Sequence, residues 1–327
     1  TKTGYTFKGW SPAVPVTMPA DNITLTAQWN INNYTLTIQY KMADDSKAPT
    51  AYTETVTFNK DYSVASPVIA GYTPDRATVT GTMPADDITV TVTYAANTDT
   101  AYKVEHYTEE LDGSWKLEDT DNLTGTTNTQ TEAAAKEYEG FTHESFDQVT
   151  IKPDGTTIIK IYYNRNSYTV TFKDWDGAEV KTETVKYQGA ATAPENPSRE
   201  GYTFKSWDKA YTDITCDLTI IATYTINQYT ITFDSNGGSV VAPITQDYGT
   251  AVKAPADPTR TGYTFAGWSP AVPATIPAED VTLTAQWSIN SYTLTIQYKM
   301  ADDSKAPDAY TETVTFNKDY SVASPVI

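Results

Sequence analysis

The stretch that decides the fold is TGYTFKGWSPAVP, residues 3–15, which returns as TGYTFAGWSPAVP at residues 261–273. The match runs well beyond that phrase. Residues 1–69 align without gaps on 259–327, and ten of the 69 positions differ. Most differences are mild, such as Lys2 against Arg260, Met18 against Ile276 and Asp21 against Glu279. A chain with a period of 258 residues is an array, and its modules have to be found before its elements.

A shorter period lies inside the long one. Strand-like openings recur as YTLTI (34–38), YTVTF (168–172), YTITF (229–233) and YTLTI (292–296). Strand-like closings recur as ITLTAQW (23–29), ITVTVTY (88–94), LTIIATY (218–224) and VTLTAQW (281–287). One further unit opens on YKVEHY (102–107) and closes on IIKIYY (158–163). The expected modules are therefore 31–97, 98–165, 166–226 and 227–289, with a second half-module at 1–30 and a first half at 290–327 that repeats 34–69. On this reading the phrase at residues 3–15 is the middle of a module whose first half lies upstream of residue 1.

The joints between modules are short. From closing aromatic to opening Tyr the step is five residues at Trp29→Tyr34, Tyr163→Tyr168, Tyr224→Tyr229 and Trp287→Tyr292. Asn stands two places before each opening Tyr, as Asn32, Asn166, Asn227 and Asn290. So little slack predicts stiffly related neighbours and an extended rod. The longer bridge AANTDTA (95–101) is the expected hinge.

Within a module the pattern is β. Tyr34, Leu36, Ile38 and Tyr40 alternate with Thr35, Thr37 and Gln39, placing one face toward a core and the other toward water. SNGGS (235–239), DWDG (174–177), LDG (111–113) and KPDG (152–155) carry hairpin-turn chemistry. Only TEAAAKEYEG (131–140) predicts a short helix, with Gly140 to end it. The Pro-rich bridges 193–202 and 254–263 predict extended crossovers, because proline cannot serve a central ladder.

Composition narrows the function. A net charge of −18 over 327 residues disfavours nucleic acid, whose phosphates require clustered Lys and Arg, and equally disfavours an anionic membrane surface. The single cysteine, Cys216, excludes an intrachain disulfide, and no apolar run approaches the length of a membrane helix. The start has neither Met nor a signal-peptide pattern.

The aromatic phrase invites a sugar-stacking reading, since Tyr5, Phe7 and Trp10 recur as Tyr202, Phe204, Trp207 and Tyr263, Phe265, Trp268. Core packing is the stronger expectation. A module this small depends on a few large side chains, and one buried Trp is worth roughly 4–6 kcal/mol gross.

The pattern GYTFxGWSPAVPxTxPAxDxTLTAQW, preceded by YTITFDSNGG, resembles the internalin B-repeat, or Listeria–Bacteroides repeat. Residues 229–287 carry it whole, 1–29 carry its second half, 168–224 carry it with Ser206 for Gly, and 34–94 carry a looser form. Residues 102–163 resemble the mucin-binding-protein repeat through YKVEHY, LTGTT, YEGFT and IYYNRN. The resemblance implies mainly β, β-grasp-like modules in tandem. It also implies a place in large secreted or wall-attached bacterial proteins, and it brings no catalytic residues.

Candidate chemistry is sparse. DWDGAEVKTE (174–183) has the look of a calcium loop, but Glu179 stands where an EF-hand needs Gly, so a hairpin turn is expected. The pairs Asp44–Asp45, Asp86–Asp87, Glu109–Glu110 and Glu279–Asp280 read as solvated turns rather than calcium ligands. His106 and His143 lack a third zinc ligand, and Cys216 reads as a free thiol. No nucleophile triad or phosphate-cradling glycine loop is present. Intramolecular Lys–Asn or Thr–Gln cross-links would suit a stalk without disulfides, and intact mass would reveal them. Flat ice-binding Thr arrays are disfavoured by strand twist.

No catalytic, cofactor or metal residue is expected, ligand-binding residues stay unassigned, and no cofactor is expected. The leading expectation is a non-catalytic stalk of an extracellular, cell-surface adhesin or fibre. The alternatives are adhesion to mucin-type glycans or proteins through 102–163, and self-association with neighbouring copies. No nucleic acid and no membrane insertion are expected within this segment.

Overall fold

The computed structural model describes residues 1–302 and 304–326. All its regular elements are strands. It divides into two compact units, Thr1–Asn166 and Ser167–Ile327.

In the first unit, the opening strand Asn33–Met42 pairs antiparallel with Tyr52–Thr57 and parallel with the closing strand Ile88–Ala96. The closing strand also pairs antiparallel with Tyr72–Pro74. The same order, second–opening–closing–third, recurs with Trp115–Gly125, Thr100–Glu109, Thr157–Arg165 and Phe141–His143. In the second unit it recurs with Glu179–Lys186, Ser167–Lys173, Leu218–Ile226 and Tyr202–Trp207. Ile244–Asp247, Gln228–Asp234, Val281–Ile289 and Tyr263–Ser269 form the last complete sheet. A hairpin, a long crossover and a parallel central pair make a β-grasp-like module, and the protein is a tandem of these. Parallel neighbours cannot be joined by a tight turn, which is why each module carries a Pro-rich or irregular crossover.

Each sheet buries one face. Leu36, Ile38, Val92 and Tyr94 form the floor of the first complete module, with Met83 and Val79 brought over them from the crossover. Val170, Phe172 and Ile220 do the same in 167–226, and Ile231, Phe233 and Leu283 in 228–289. The terminal segments hold two strands each: Tyr5–Ser11 with Thr26–Ile31, and Ser291–Ile296 with Tyr310–Thr315.

A β-bulge shapes the aromatic phrase. Phe265 pairs with Trp287, Gly267 with Gln286 and Trp268 with Ala285, so one extra residue puts Phe265 and Trp268 on the same face. Gly267 sits at φ 121°, a left-handed value that favours glycine. With Ser206 in that place the bulge persists, and the Ser206 hydroxyl lies 3.0 Å from that of Thr223. Trp268 packs edge-on against Phe233 at 5.0 Å and Trp207 against Phe172 at 4.9 Å, each half-buried on its core. Trp10 departs from the expected core role: it is 46 % exposed and Phe7 45 %. The residues that cover Trp268 come from the opening strand, and residues 1–31 contain the third and closing strands alone.

The expected helix at 131–140 is absent. This stretch has no regular structure and lies across the core of its module. Thr131 and Ala133 turn inward and Glu132 and Ala134 outward, a period of two. The Ala133 N–H donates to Gln148 Oε1 at 2.9 Å and the Lys136 N–H to the Tyr163 hydroxyl at 2.8 Å. A helix of ten residues is marginal alone, and a few tenths of a kcal/mol per residue in propensity lose to covering an open sheet face.

Candidate functional site

The arrangement that recurs most strictly is the joint. At the first, the Asn32 N–H donates to the Gly4 carbonyl at 2.9 Å, and the Asn32 carbonyl accepts the N–H of Phe58 from the next module's hairpin. Its side-chain carbonyl accepts the Thr6 hydroxyl at 2.6 Å, and its amide reaches the Tyr34 hydroxyl at 3.3 Å. Asn227 repeats all four bonds with Gly201, Tyr248, Thr203 and Tyr229. Asn290 repeats them with Gly262, Phe316, Thr264 and Tyr292. Asn166 makes the first and third with Gly140 and Thr142. At Asn32, Asn227 and Asn290 one side chain thus ties the end of one sheet to the start of the next. The sequence offered the Asn spacing as its only signal.

The stretch expected to be a hinge is instead a joint with extra bonds. Asn97 binds Gly71, Thr127 and Thr73 as its counterparts bind theirs. In addition the Thr127 hydroxyl donates to the Gly71 carbonyl at 2.9 Å and lies 2.7 Å from the Thr100 hydroxyl. Asn128 Nδ2 lies within 2.6–3.2 Å of the Tyr72 hydroxyl, Ser46 Oγ and Asp44 Oδ2. The Tyr72 hydroxyl donates to Asp44 at 2.8 Å, and this bond, with those from Ser46 and Asn128, lowers the Asp44 carboxyl to about 2. The longer linker is used up in these contacts.

The carboxylates singled out in the sequence serve the backbone. Asp87 Oδ1 accepts the Thr35 N–H at 2.6 Å, Asp217 that of Thr169 at 2.7 Å and Asp280 that of Thr230 at 2.8 Å. Each sits where the parallel central pair begins. Asp86 Oδ1 accepts the N–H of Asp87, and Glu109 Oε2 that of Arg165. In DWDG, Asp174 and Asp176 accept the N–H groups of Trp175 and Ala178, closing a turn. Among the described residues no three His, Cys, Asp or Glu converge as a metal site. Cys216 is exposed and free.

His106 is fully buried, with Nδ1 2.8 Å from the Tyr163 hydroxyl and Nε2 3.1 Å from Asp121 Oδ2. Lys136 lies against Asp119 and, at 2.7 Å, against Asp121, and the two carboxylates raise its ammonium above the usual lysine range. Tyr138 and Tyr163 pack edge-on at 4.8 Å beside the His106 ring. His143 is exposed, and its Nδ1 is 2.9 Å from the Glu144 carbonyl.

The outward sheet face distinguishes module 100–165 from its neighbours. In the first complete module that face holds Thr37, Gln39 and Lys41 beside Thr89, Thr91 and Thr93, and in 228–289 it holds Thr232 and Asp234 beside Thr282 and Thr284. In 100–165 it holds Glu105 and Tyr107 beside Lys160 and Tyr162. Tyr107 and Tyr162 stack at 5.3 Å, and Trp115, 39 % exposed, meets Tyr162 edge-on at 4.8 Å.

Comparison with known proteins places the chain. Residues 168–227 and 229–286 match the Listeria–Bacteroides repeat domain, residues 1–33 the divergent InlB B-repeat domain, and residues 60–98 the Muc B2-like domain. The chain therefore contains Listeria–Bacteroides and InlB-type B-repeat modules, with a Muc B2-like segment in the array. That segment falls one module before the residues, 102–163, whose wording suggested a mucin-type repeat. A putative Gly-rich membrane protein of Evansella cellulosilytica is 28 % identical over 353 residues, 90 % of this chain and 40 % of that protein. Internalin H of Listeria monocytogenes is 31 % identical over 195 residues, 54 % of this chain and 32 % of that protein. The chain spans less than half the length of these relatives. Among solved structures, the Bacillus anthracis TIE protein aligns over 62 % of this chain and 55 % of its own, at 11 % identity and a TM-score of 0.30. Two B repeat units of the Staphylococcus aureus collagen-binding protein align over 79 % of this chain and all of theirs, at 12 % identity and a TM-score of 0.15.

Proposed function

We propose that the chain is a non-catalytic stalk segment of a bacterial surface protein, held outside the cell and projecting other domains from it. The observation that carries this reading is the recurrent joint, because the same set of bonds ties module to module at Asn32, Asn227 and Asn290. A spacer needs such fixed connections, whereas a string of independent binding domains does not. Removing residues 33–290 from the parent protein joins Asn32 to Ser291 and restores a complete joint, so the array shortens by one long period without damage. A distal epitope should then sit measurably closer to the cell envelope in super-resolution imaging. An unchanged height refutes the stalk.

A second reading, adhesion through module 100–165, is favoured by an outward face that carries Tyr107, Tyr162 and Trp115. Flat aromatic rings beside Lys160 and Glu105 suit the apolar face and hydroxyls of a neutral sugar. Binding on a glycan array that Trp115→Ala abolishes supports adhesion, and a blank array removes it.

A further inference from the structure

We infer that the joints at Asn32, Asn97, Asn227 and Asn290 are of two matched types, and that the match between one module's exit face and the next module's entry hairpin fixes the order in which modules can stand. This holds whether or not the chain is a stalk.

The first type is aromatic. Phe58, Tyr248 and Phe316 each lay a ring on the glycine of the preceding Gly-Tyr pair, so close that a Cβ on Gly4, Gly201 or Gly262 would overlap it. The Tyr of that pair meets the ring edge-on: Tyr5 with Phe58 at 5.9 Å, Tyr202 with Tyr248 at 6.1 Å and Tyr263 with Phe316 at 6.1 Å. A cation lies over the same Tyr in every case: Lys2 at 4.1 Å, Arg199 at 3.7 Å and Arg260 at 4.0 Å. Exit face and plug form one cation–aromatic–aromatic stack.

The second type is polar. At Gly71 the aromatic ring is replaced by Thr127 and Pro153, which fill the space a Cβ would need. Tyr72 is 7 % exposed, and its hydroxyl is held among Asp44, Ser46 and Asn128. Asn128 adopts φ 63°, as Asn59 (57°), Gly249 (75°) and Asn317 (54°) do at the corresponding turn. The backbone of the entry hairpin is therefore common to both types, and the side chains alone make the difference.

Neither plug fits the other's face. A phenyl ring at position 127 would collide with Pro153 and with Thr100, to which the 1 % exposed Thr127 is bonded. A threonine at 248 would uncover Gly201 and strip the Tyr202 stack of its outer ring. The Tyr248 hairpin set after Asn97 would also leave the Tyr72–Asp44 cluster without its amide donor, because Gly249 stands where Asn128 does, and half-satisfied polar clusters are costly.

The test is hydrogen exchange on the full chain, read at the amides that bond across joints. Tyr248→Phe, which stays within type, should leave the Asn227 amide within about twofold, whereas Tyr248→Thr should speed it by about tenfold or more. Thr127→Phe should speed the Asn97 amide by about tenfold or more. If Thr127→Phe also speeds the core amides of Leu36 and Val92 equally, the module has unfolded, and Asn128→Gly decides instead. That variant keeps the positive φ and deletes only the clamp, and should speed the Asn97 and Thr127 amides by about tenfold with the core unchanged. An Asn227 amide unmoved by Tyr248→Thr, or an Asn97 amide unmoved by Asn128→Gly, overturns the proposal.

Discussion

Residue identity carries energy here only through what lies opposite it. Trp10 and Trp268 stand in the same phrase, yet Trp268 rests on Phe233 while Trp10 is 46 % exposed. Trp268→Ala should cost module 228–289 about 3 kcal/mol, a large part of the roughly 3–9 kcal/mol available to a domain of this size. Trp10→Ala should cost the segment at 1–31 well under about 1 kcal/mol. Urea titrations followed by hydrogen exchange in each segment separate the two, and equal costs would mean that the phrase itself, rather than its packing, sets the energy. His106 makes the parallel case for a polar group. With Nδ1 on Tyr163 and Nε2 on Asp121, it satisfies one buried and one partly exposed partner at once. His106→Phe keeps the volume and loses both bonds, so module 100–165 should be destabilised by about 2 kcal/mol in thermal melts. An unchanged melting temperature would show that water replaces the ring nitrogens without cost.

At the scale of elements, the joint at Asn97 has a carboxyl group in its bonding. The Tyr72 hydroxyl, then Ser46 and Asn128, hold the Asp44 carboxyl at about 2 against an ordinary 3.8. A depressed carboxyl stabilises above its unfolded value and loses that contribution as pH falls through the folded one. The Asn97 and Thr127 amides should therefore keep their protection, after correction for intrinsic exchange, down to about pH 4 and lose it between about pH 4 and 2. Asp44→Asn should remove that pH dependence, and a persistent one would assign it to another group. Strand positions and the core face were legible in the sequence because Tyr34, Leu36 and Ile38 alternate with threonine, and a period of two sets one face toward the core. The strap at 131–140 was not, because Ala-Ala-Ala reads as helix until the sheet it must cover is known. Nor was the joint at 97: residue counting made AANTDTA slack, and only the left-handed turn at Asn128, with Asp44 brought across from the neighbouring module, shows where the extra residues go. The candidate surface at Tyr107 and Tyr162 was hidden for a similar reason. YKVEHY and IIKIYY lie some fifty residues apart, and parallel pairing alone sets Tyr107 beside Tyr162.

For the whole molecule, the parallel central pair turns module order into a folding problem. In 228–289, Ile231 pairs with Val281 and Phe233 with Leu283, so the opening strand waits for a partner made fifty residues later. Until then its exposed edge will accept any closing strand of the same pattern. A neighbouring module of near-identical sequence would offer one with the right register and the right core face. The chain keeps its near-identical modules 258 residues apart and places dissimilar ones between them. The closing strand that reaches a waiting opening strand first is then its own, or one whose side chains fit poorly. A direct tandem of residues 229–291 has no such protection, although its joint at Asn290 would be of the matched aromatic type, with Tyr248 of the second copy as plug. It should refold in markedly lower yield than the natural order at equal concentration, with strand-exchanged species visible as proteolytic fragments that span two modules. Equal yields would show that the loop closure within a module outpaces exchange between modules, and that the spacing of repeats owes nothing to folding.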